Sequence, residues 1–297
     1  MPTIVLEEDR SLRLVEVVLD PPVPPEQTAA FRDYLAHDLP DFPAWRDALR
    51  AKVPDLYPAD VRTVTSQEAL RESLPGSAVA IVESLEVRAP ELAVADRLAV
   101  VQKFGTRTGN IDLDACRKRG IAVCTVRRRT NVAVAEHSML LLQALAKQLP
   151  LINGLVTVER LQQEGRPYRP LDTRHTANAN WGRIGGLRTL FGSTLGVLGL
   201  GEIGSEMARL GRGCGMHVLY HQRSRLSSWD EAKLGVGYCA FDELLARSDF
   251  VSIHVPSNAQ TRDFIDRAAF SRMKRGAFLI NTSRAEIVNR EALVEAI

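Results

Sequence analysis

The sequence predicts an α/β protein with a doubly wound parallel sheet and a second, smaller α/β domain. Its 297 residues correspond to about two domains of ordinary size. Short apolar runs at residues 78–82 and 98–101 lie between polar segments, as buried parallel strands do. A further apolar run at residues 194–198 leads directly into a glycine-rich turn and a helical pattern, which is the order of strand, turn and helix in such sheets.

The composition is that of an ordinary folded protein. Hydrophobic residues make up 45% of the chain and charged residues 25%, which excludes a disordered or collagen-like chain. The net charge of +2 is too small to indicate a nucleic-acid or membrane-surface partner, so we expect a small-molecule partner. The first residues carry acids where a signal peptide carries bases, and no apolar run is long enough to span a membrane. We therefore expect a cytoplasmic location.

The cysteines indicate neither a metal site nor a disulfide framework. They include no C-x-x-C pair and are widely spread, at Cys116, Cys124, Cys214 and Cys239. We expect all four to be reduced and buried.

Several segments outside the glycine-rich turn also have an expected structure. The apolar run at residues 12–19 predicts a strand, and the prolines at residues 21–25 predict a loop that no helix crosses. Residues 132–148 predict a long apolar helix that joins two domains, with Asn131 as its N-cap. Residues 162–191 are polar and rich in glycine and proline, which predicts a long irregular segment.

The boundary between the two domains is expected near residue 126. Residues 113–119 predict a helix that ends at Gly120, and residues 121–126 predict a β-branched strand that closes the first domain. We therefore assign residues 1–126 to one domain and residues 127–297 to the other.

The glycine-rich turn has the spacing of a dinucleotide-binding loop. The sequence Gly199-Leu200-Gly201-Glu202-Ile203-Gly204 follows a predicted strand, opens a helix and precedes a second strand at residues 216–220. In such a loop the first glycine allows a tight turn, the second lets the backbone approach a pyrophosphate and the third allows close helix packing. The helix N-terminus adds a positive dipole and free N–H donors. The pattern predicts a Rossmann-type domain that binds a dinucleotide.

The residues after the second strand favour NADP over NAD. An acidic residue about 20 positions beyond the glycines binds the adenosine ribose in NAD-specific proteins. The sequence there reads Gln222-Arg223-Ser224-Arg225 instead, and these cations and hydroxyl suit a 2′-phosphate. The alternative is that Arg223 and Arg225 are simply solvated, in which case the site accepts either cofactor.

Several separate motifs, in this order along the chain, resemble those of one enzyme family. They are GTRTGNID at residues 105–112 with GIAV at 120–123, NVAVAEH at 131–137, TLGVLGLGEIG at 194–204, SDFVSIHVP at 248–256 and NTSRAEIVN at 281–289. With these motifs the chain resembles the D-isomer-specific 2-hydroxyacid dehydrogenases, which include phosphoglycerate dehydrogenase and the glyoxylate and hydroxypyruvate reductases. The resemblance extends from about residue 78 to Ile297.

The resemblance implies a substrate domain, a cofactor domain and a set of site residues. Arg284 matches the family's catalytic arginine, which anchors the substrate carboxylate and polarises the keto oxygen. The implied substrate-binding residues are Phe104, Gly105, Thr106 and Arg107. Besides the glycine loop and residues 222–225, the implied cofactor-binding residues are His254, Val255, Pro256, Thr261, Thr282 and Ser283. The resemblance also implies a homodimer formed through the cofactor domain.

The family's catalytic glutamate and histidine follow its arginine, and thirteen residues follow Arg284 here. Glu291, Glu295 and His137 do not match those positions, and neither does His254. In the family, that histidine donates a proton to the keto oxygen as the hydride is transferred. We therefore expect this sequence to be an incomplete copy that lacks a C-terminal segment.

Four residues depart from the family pattern near the expected site. Ala285 replaces a usual glycine and Asn289 a usual aspartate, while Arg107 and Gly109 replace the usual glycine and aspartate of the substrate loop. Arg107 either faces an anionic substrate or is a plain surface residue. If it faces the site, a second cation favours substrates with an extra phosphate or carboxylate.

Two main functional interpretations remain open at this point. The first is an NAD(P)-dependent oxidoreductase that interconverts a 2-keto acid and a D-2-hydroxy acid by hydride transfer. The second is a catalytically silent NAD(P)-binding regulatory module that resembles the family's corepressor relatives. A third, a family member that oxidises formate or phosphite, differs from the first in its substrate.

Overall fold

A computed structural model describes residues 1–154, 157–166, 172, 174–175 and 184–297. The chain divides into two compact units, Met1–Arg128 and Arg129–Ile297. The residues described in each unit form one parallel five-stranded sheet with helices, which confirms the predicted fold class. The division lies close to the predicted boundary at residue 126, and the roles of the units as substrate and cofactor domains stay predictions.

The first unit is an open α/β sheet in which all strand pairs are parallel. Its strands, in the order β2-β1-β3-β4-β5, are β1 Thr3–Glu7, β2 Asp60–Val64, β3 Val79–Val82, β4 Val100–Lys103 and β5 Ala122–Thr125. Its helices are α1 Arg13–Leu19, α2 Pro25–Tyr34, α3 Phe42–Lys52, α4 Gln67–Ser73, α5 Ala89–Val94 and α6 Leu113–Lys118. The strand order changes direction between β1 and β3, the place where open α/β sheets form a crevice at their carboxyl ends.

The strand predicted at residues 12–19 is wrong, because this segment is helix α1. Leu14, Val17 and Val18 have the spacing of one helix face, and Val17 and Val18 are buried. Asp9 starts the turn, since its Oδ1 accepts the backbone N–H of Ser11 at 2.8 Å and of the next residue at 3.2 Å. The strand of this region is β1, whose three central residues are buried.

The other predictions for the first unit are confirmed within a few residues. Strands β3, β4 and β5 and helix α6 lie where the apolar runs and the helical pattern place them. Gly120 follows α6 with a φ of 70°, a left-handed conformation that glycine adopts without strain. The proline segment separates α1 from α2, and Pro25 begins α2, where its missing N–H costs nothing.

The second unit has the strand order of a Rossmann sheet through its fifth strand. The strands, in the order β10-β9-β6-β7-β8, are β6 Thr194–Leu198, β7 His217–His221, β8 Val236–Tyr238, β9 Phe250–Ile253 and β10 Phe278–Asn281. Its helices are α7 Arg129–Ala146, α8 Leu149–Ile152, α9 Val158–Gln163, α10 Glu202–Gly213, α11 Ser228–Leu234, α12 Phe241–Arg247, α13 Arg267–Arg272 and α14 Arg290–Ala296, with a 3-10 helix at Ala285–Ile287. All its strand pairs are parallel, so the carboxyl ends meet at one edge.

Helix α7 packs into the core of the second unit through Ala135, Met139 and Leu142, beside the apolar face of α10. The prediction that Asn131 caps this helix is wrong. The helix begins earlier, at Arg129, and Asn131 is buried within it. The irregular segment predicted at residues 162–191 lies partly outside the described residues, and its first two residues belong to α9.

The expectation of four buried thiols is only partly correct. Cys116 and Cys239 are buried, whereas Cys214 is half-buried and Cys124 is exposed on β5. Among the described residues, no helix is both long and apolar enough to cross a membrane.

Candidate functional site

The glycine loop joins β6 to α10, and the fold itself requires two of its glycines. Gly199 has a φ of 86°, and a Cβ there would lie 2.8 Å from the carbonyl oxygen of His254. A Cβ at Gly204 would collide with the carbonyl oxygen of Gly199. These two glycines let α10 and the β9 loop approach the turn closely.

Gly201 differs, because nothing lies within 4 Å of the position that its Cβ would take. Its φ of −68° is also open to any residue. Packing therefore gives no reason for glycine here, whereas close approach of a ligand to the backbone does. The first N–H groups of α10 have no partners within the helix and add hydrogen-bond donors to this open space. The loop fits a dinucleotide pyrophosphate.

Helix α7 holds the first residue of α10. Asn131 Nδ2 donates to Glu202 Oε2 at 2.5 Å, which ties the carboxylate at the start of α10 to a buried amide. Ser138, about two helical turns further along the same face, has its hydroxyl 2.7 Å from that of Thr282. Sequence reasoning missed both roles. The motif at residues 131–137 is the signal for the first role, but a buried asparagine and a capping asparagine look alike in sequence.

The end of β7 places an amide beside the glycine loop. Gln222 Oε1 accepts the backbone N–H of Leu200 at 3.2 Å, and its Nε2 donates to the carbonyl of Ser224 at 2.6 Å. Gln222 is the first residue after the second strand, the region in which NAD-specific proteins place an acid. A neutral amide therefore stands where that carboxylate is expected.

The two predicted cations of this turn have different surroundings. Arg225 forms a two-point ion pair with Glu231, with both N···O distances at 2.9 Å. Glu231 also accepts the Tyr220 hydroxyl at 2.7 Å, and these bonds, above all the one from Arg225, lower its pKa to about 2. Arg223 is exposed and donates to Gln260 Oε1 at 3.1 Å, with no carboxylate partner among the described residues. Of these two guanidinium groups, only that of Arg223 is uncompensated by an acid.

The end of β9 brings a neutral histidine to the same edge of the sheet. Burial lowers the pKa of His254 to about 4, so its ring is uncharged near neutral pH. Its Nε2 lies 2.8 Å from Ser252 Oγ. The loop after it is closed by Thr261, whose hydroxyl donates to the carbonyl of Pro256 at 2.6 Å. Val255 lies against the glycine loop, beside the position of a Cβ on Gly199.

The end of β10 presents Arg284. The turn before it is fixed by Asn281, whose Oδ1 accepts the Ser283 N–H at 3.0 Å and whose Nδ2 donates to the Arg284 carbonyl at 2.8 Å. Ser283 Oγ donates to the carbonyl of Ile253 at 3.0 Å and so ties this turn to β9. The Arg284 guanidinium is exposed, donates to the Ser283 carbonyl at 2.9 Å, and forms no ion pair with any residue that the structure describes.

Comparison with known proteins places the chain in a family. Residues 165–297 match the family model described as D-isomer specific 2-hydroxyacid dehydrogenase, NAD binding domain. The chain is 34% identical to a glyoxylate reductase of Korarchaeum cryptofilum over 206 aligned residues. These residues cover 68% of this chain and 56% of the relative. The chain belongs to the D-isomer specific 2-hydroxyacid dehydrogenase family. The predicted resemblance is thereby confirmed.

Other members of the 2-hydroxyacid dehydrogenase family match over more of the chain. The D-3-phosphoglycerate dehydrogenase of Mycobacterium tuberculosis is 30% identical over 287 residues, which cover 96% of this chain and 46% of the relative. The chain thus spans about half the length of these curated relatives. A solved structure of a Pyrococcus horikoshii protein aligns with a TM-score of 0.50 and 23% identity, covering 100% of this chain and 74% of that one, and it supports the fold.

The residues that the 2-hydroxyacid dehydrogenase motifs assign to substrate lie in the first unit, at the end of β4. Phe104 donates its N–H to the carbonyl of Val82 at 2.8 Å, and Gly105 has a φ of 141°. Thr106 and Arg107 are exposed. Their role in substrate binding stays a prediction.

Besides His254, three residues that do not match the family's catalytic glutamate and histidine also have defined places. Glu291 and Glu295 lie on α14, where Glu295 pairs with Arg267, and His137 lies on α7. Their positions assign them no catalytic role.

Proposed function

We propose that this chain acts in an NAD(P)-dependent oxidoreductase that interconverts a 2-keto acid and a D-2-hydroxy acid. The observation that carries the proposal is at one edge of the second sheet. The neighbouring strands β6, β9 and β10 end there in the open glycine loop, in neutral His254 and in Arg284, whose guanidinium lacks an acidic partner among the described residues. A cation at the same sheet edge as a dinucleotide loop suits a carboxylate substrate.

Each residue of this edge has a role in the proposed reaction. Residues 199–204 hold the pyrophosphate of the cofactor, and we assign residues 254–256, Thr282 and Ser283, which follow the neighbouring strands β9 and β10, to the rest of the cofactor. When bound, the nicotinamide supplies or accepts the hydride. Arg284 binds the substrate carboxylate and stabilises negative charge on the keto oxygen. His254 has a pKa of about 4 and so does not act as the proton donor near neutral pH.

Turnover tests the proposal. The purified chain is mixed with NADPH or NADH and with glyoxylate, pyruvate or hydroxypyruvate, and loss of the reduced nicotinamide is recorded. We expect turnover, and we expect Arg284→Gln to lower kcat/KM by about 10²- to 10³-fold. Arg290→Gln is the matched control, because Arg290 is exposed on α14 and has no described partner. A chain that binds the cofactor but oxidises it with none of these acids contradicts the proposal and favours the regulatory module.

We further infer a preference for NADPH, with Arg223 as the residue that binds the 2′-phosphate. Arg223 has no carboxylate partner among the described residues, whereas the charge of Arg225 is compensated by Glu231. We expect Arg223→Ala to weaken NADPH binding by about tenfold or more and NADH binding little. Arg225→Ala is the matched control. It should change the ratio of NADPH affinity to NADH affinity less than Arg223→Ala does, because Arg225 is paired with Glu231. Equal losses of NADPH and NADH affinity in Arg223→Ala would refute this role.

The homodimer and the cytoplasmic location stay predictions of the sequence.

A further inference from the structure

A buried carboxylate fixes the loop that follows β3 in the first unit. Glu7, at the end of β1, is 8% exposed, and its carboxylate accepts the backbone N–H of Glu83 at 2.6 Å, of Ser84 at 2.9 Å and of Leu85 at 3.0 Å. These strands flank the point where the strand order changes direction. Hydrogen bonds from several backbone N–H groups to one carboxylate hold the loop in a single conformation.

The backbone carbonyl groups of the same loop accept hydrogen bonds from the last residue of β4 and from a residue that follows it. The carbonyl oxygen of Glu83 accepts a hydrogen bond from the buried Nζ of Lys103, and Asn110 Nδ2 donates to the carbonyl of Leu85 at 2.7 Å. Lys103 is the last residue of β4 and directly precedes Phe104. The backbone N–H and carbonyl of Glu83 therefore both form hydrogen bonds, which fix the backbone position from which its side chain extends.

The side chain of Glu83 neutralises a cation beside the expected substrate loop. Its Oε1 lies 2.6 Å from Arg128 Nη1, and the side chains are 34% and 24% exposed. The Arg128 guanidinium carbon lies 5.0 Å from the centre of the Phe104 ring. Partial burial strengthens the attraction between the two charges relative to a fully exposed pair. The cation next to Phe104 is thus already paired with an acid.

We propose that Glu83 is a specificity-determining residue that favours 2-keto acids with a single negative charge. The inference rests on the proposed function and concerns the class of its substrate. A second carboxylate or a phosphate near Phe104 would be repelled by the charge of Glu83, and it would have to compete with Glu83 for Arg128. Arg107 is exposed on the loop that follows Phe104. A cation there would favour a substrate with a second negative charge, which is the opposite preference.

The experiment compares pyruvate, a monoanion, with 2-oxoglutarate, a dianion, in the full chain. We expect the wild-type chain to favour pyruvate, and Glu83→Gln to raise the ratio of kcat/KM for 2-oxoglutarate over pyruvate by about tenfold, a change that corresponds to ~1.4 kcal/mol. The Glu83→Gln, Arg128→Gln double variant should return the ratio toward the wild-type value, because it removes the negative and the positive charge of the pair together. Glu86→Gln is the matched control, since Glu86 is exposed on the same loop and pairs with Arg88. An unchanged or lower ratio in Glu83→Gln overturns the proposal.

Binding measurements separate this proposal from the proposed function. If the wild-type chain oxidises NADPH with neither acid, the dehydrogenase proposal fails, and calorimetric titration with the same two acids still tests Glu83. Tighter binding of 2-oxoglutarate to Glu83→Gln than to the wild type supports the specificity role. Equal binding, or no binding to either chain, overturns it. Should Glu83→Gln unfold, Arg128→Gln replaces it, and its expected effect is a lower ratio for 2-oxoglutarate.

Discussion

Gly201 and Gly204 are glycines for different physical reasons, and replacing each of them by alanine distinguishes the two reasons. A Cβ at Gly204 collides with the backbone of Gly199, whereas a Cβ at Gly201 has open space. We expect Gly204→Ala to lower the free energy of unfolding by ~2 kcal/mol or more, in spite of the better helix propensity of alanine. Gly201→Ala should leave the free energy of unfolding within ~0.5 kcal/mol of wild type and weaken NADPH binding by about tenfold or more.

Urea denaturation and calorimetric titration of the two variants provide the measurements. The opposite pattern, with a destabilised Gly201→Ala that keeps its cofactor affinity, would show that the open space serves the fold and not a ligand.

Sequence reasoning found the glycine loop at the residue scale but could not rank the two cations after it. Arg223 and Arg225 are equivalent in a pattern of charges. The difference arises because α11 turns Glu231 back toward Arg225 and Tyr220, a contact that depends on the path of the intervening turn. Arg284 and the glycines were assigned from their motifs, because such motifs are local in sequence.

The connection between β7 and α11 depends on one buried hydroxyl. Tyr220 Oη donates to Glu231 at 2.7 Å and accepts the backbone N–H of Leu226 at 2.9 Å. Its pKa is raised to about 12, chiefly by burial, so it stays a donor. We expect Tyr220→Phe to lower the free energy of unfolding by ~1–3 kcal/mol, because it leaves the Leu226 N–H without this partner.

Tyr238→Phe is the matched control for this element. Tyr238 packs edge-on against Tyr220 with ring centres 5.4 Å apart, and its hydroxyl has no hydrogen bond within the described part of the chain. Chemical denaturation of both variants gives the comparison. Equal stability changes would remove the special role of the Tyr220 hydroxyl.

At the scale of elements, prediction succeeded where an apolar run had the length of a strand and clear breaks at both ends. Strands β3 and β6 are such cases. It failed at β1 and α1, two short apolar runs separated by acidic residues, because burial of the helix face in α1 produces the same density of apolar residues as a strand. The start of α7 was also misplaced, since a buried asparagine and a capping asparagine look alike in sequence.

At the scale of the whole molecule, the two-unit α/β architecture followed from length, alternation and the glycine motif. The roles predicted for residues 104–107 and for Arg284 did not, because no pattern of apolar residues or glycines assigns them. Those predictions come from the resemblance to the 2-hydroxyacid dehydrogenases.

The free energy of unfolding of the chain should depend on pH because of the lowered pKa of His254. Its pKa falls from 6.5 to about 4 on folding because burial disfavours the charged ring. Between these values the unfolded chain binds a proton that the folded chain does not, so the free energy of unfolding decreases as the pH falls from about 6.5 to about 4. The contribution is up to about 3 kcal/mol.

Urea denaturation of the wild type and of His254→Gln across this pH range gives the free energy of unfolding of both chains. The comparison separates the contribution of His254 to the pH dependence from that of the carboxylates. The difference between the two chains should grow as the pH rises through this window and level off above it. Parallel curves would contradict the burial of a neutral ring.

The most direct test of the central claim is a calorimetric titration of the chain with NADPH. We expect one saturable site per chain, competed by NADP⁺ and weakened in Gly201→Ala, because the proposed binding site for the pyrophosphate is the open glycine loop at the end of β6. Absence of NADPH and NADH binding by a folded chain would contradict the proposed dehydrogenase function, since every proposed role of Arg223, His254 and Arg284 depends on a dinucleotide at this edge of the sheet.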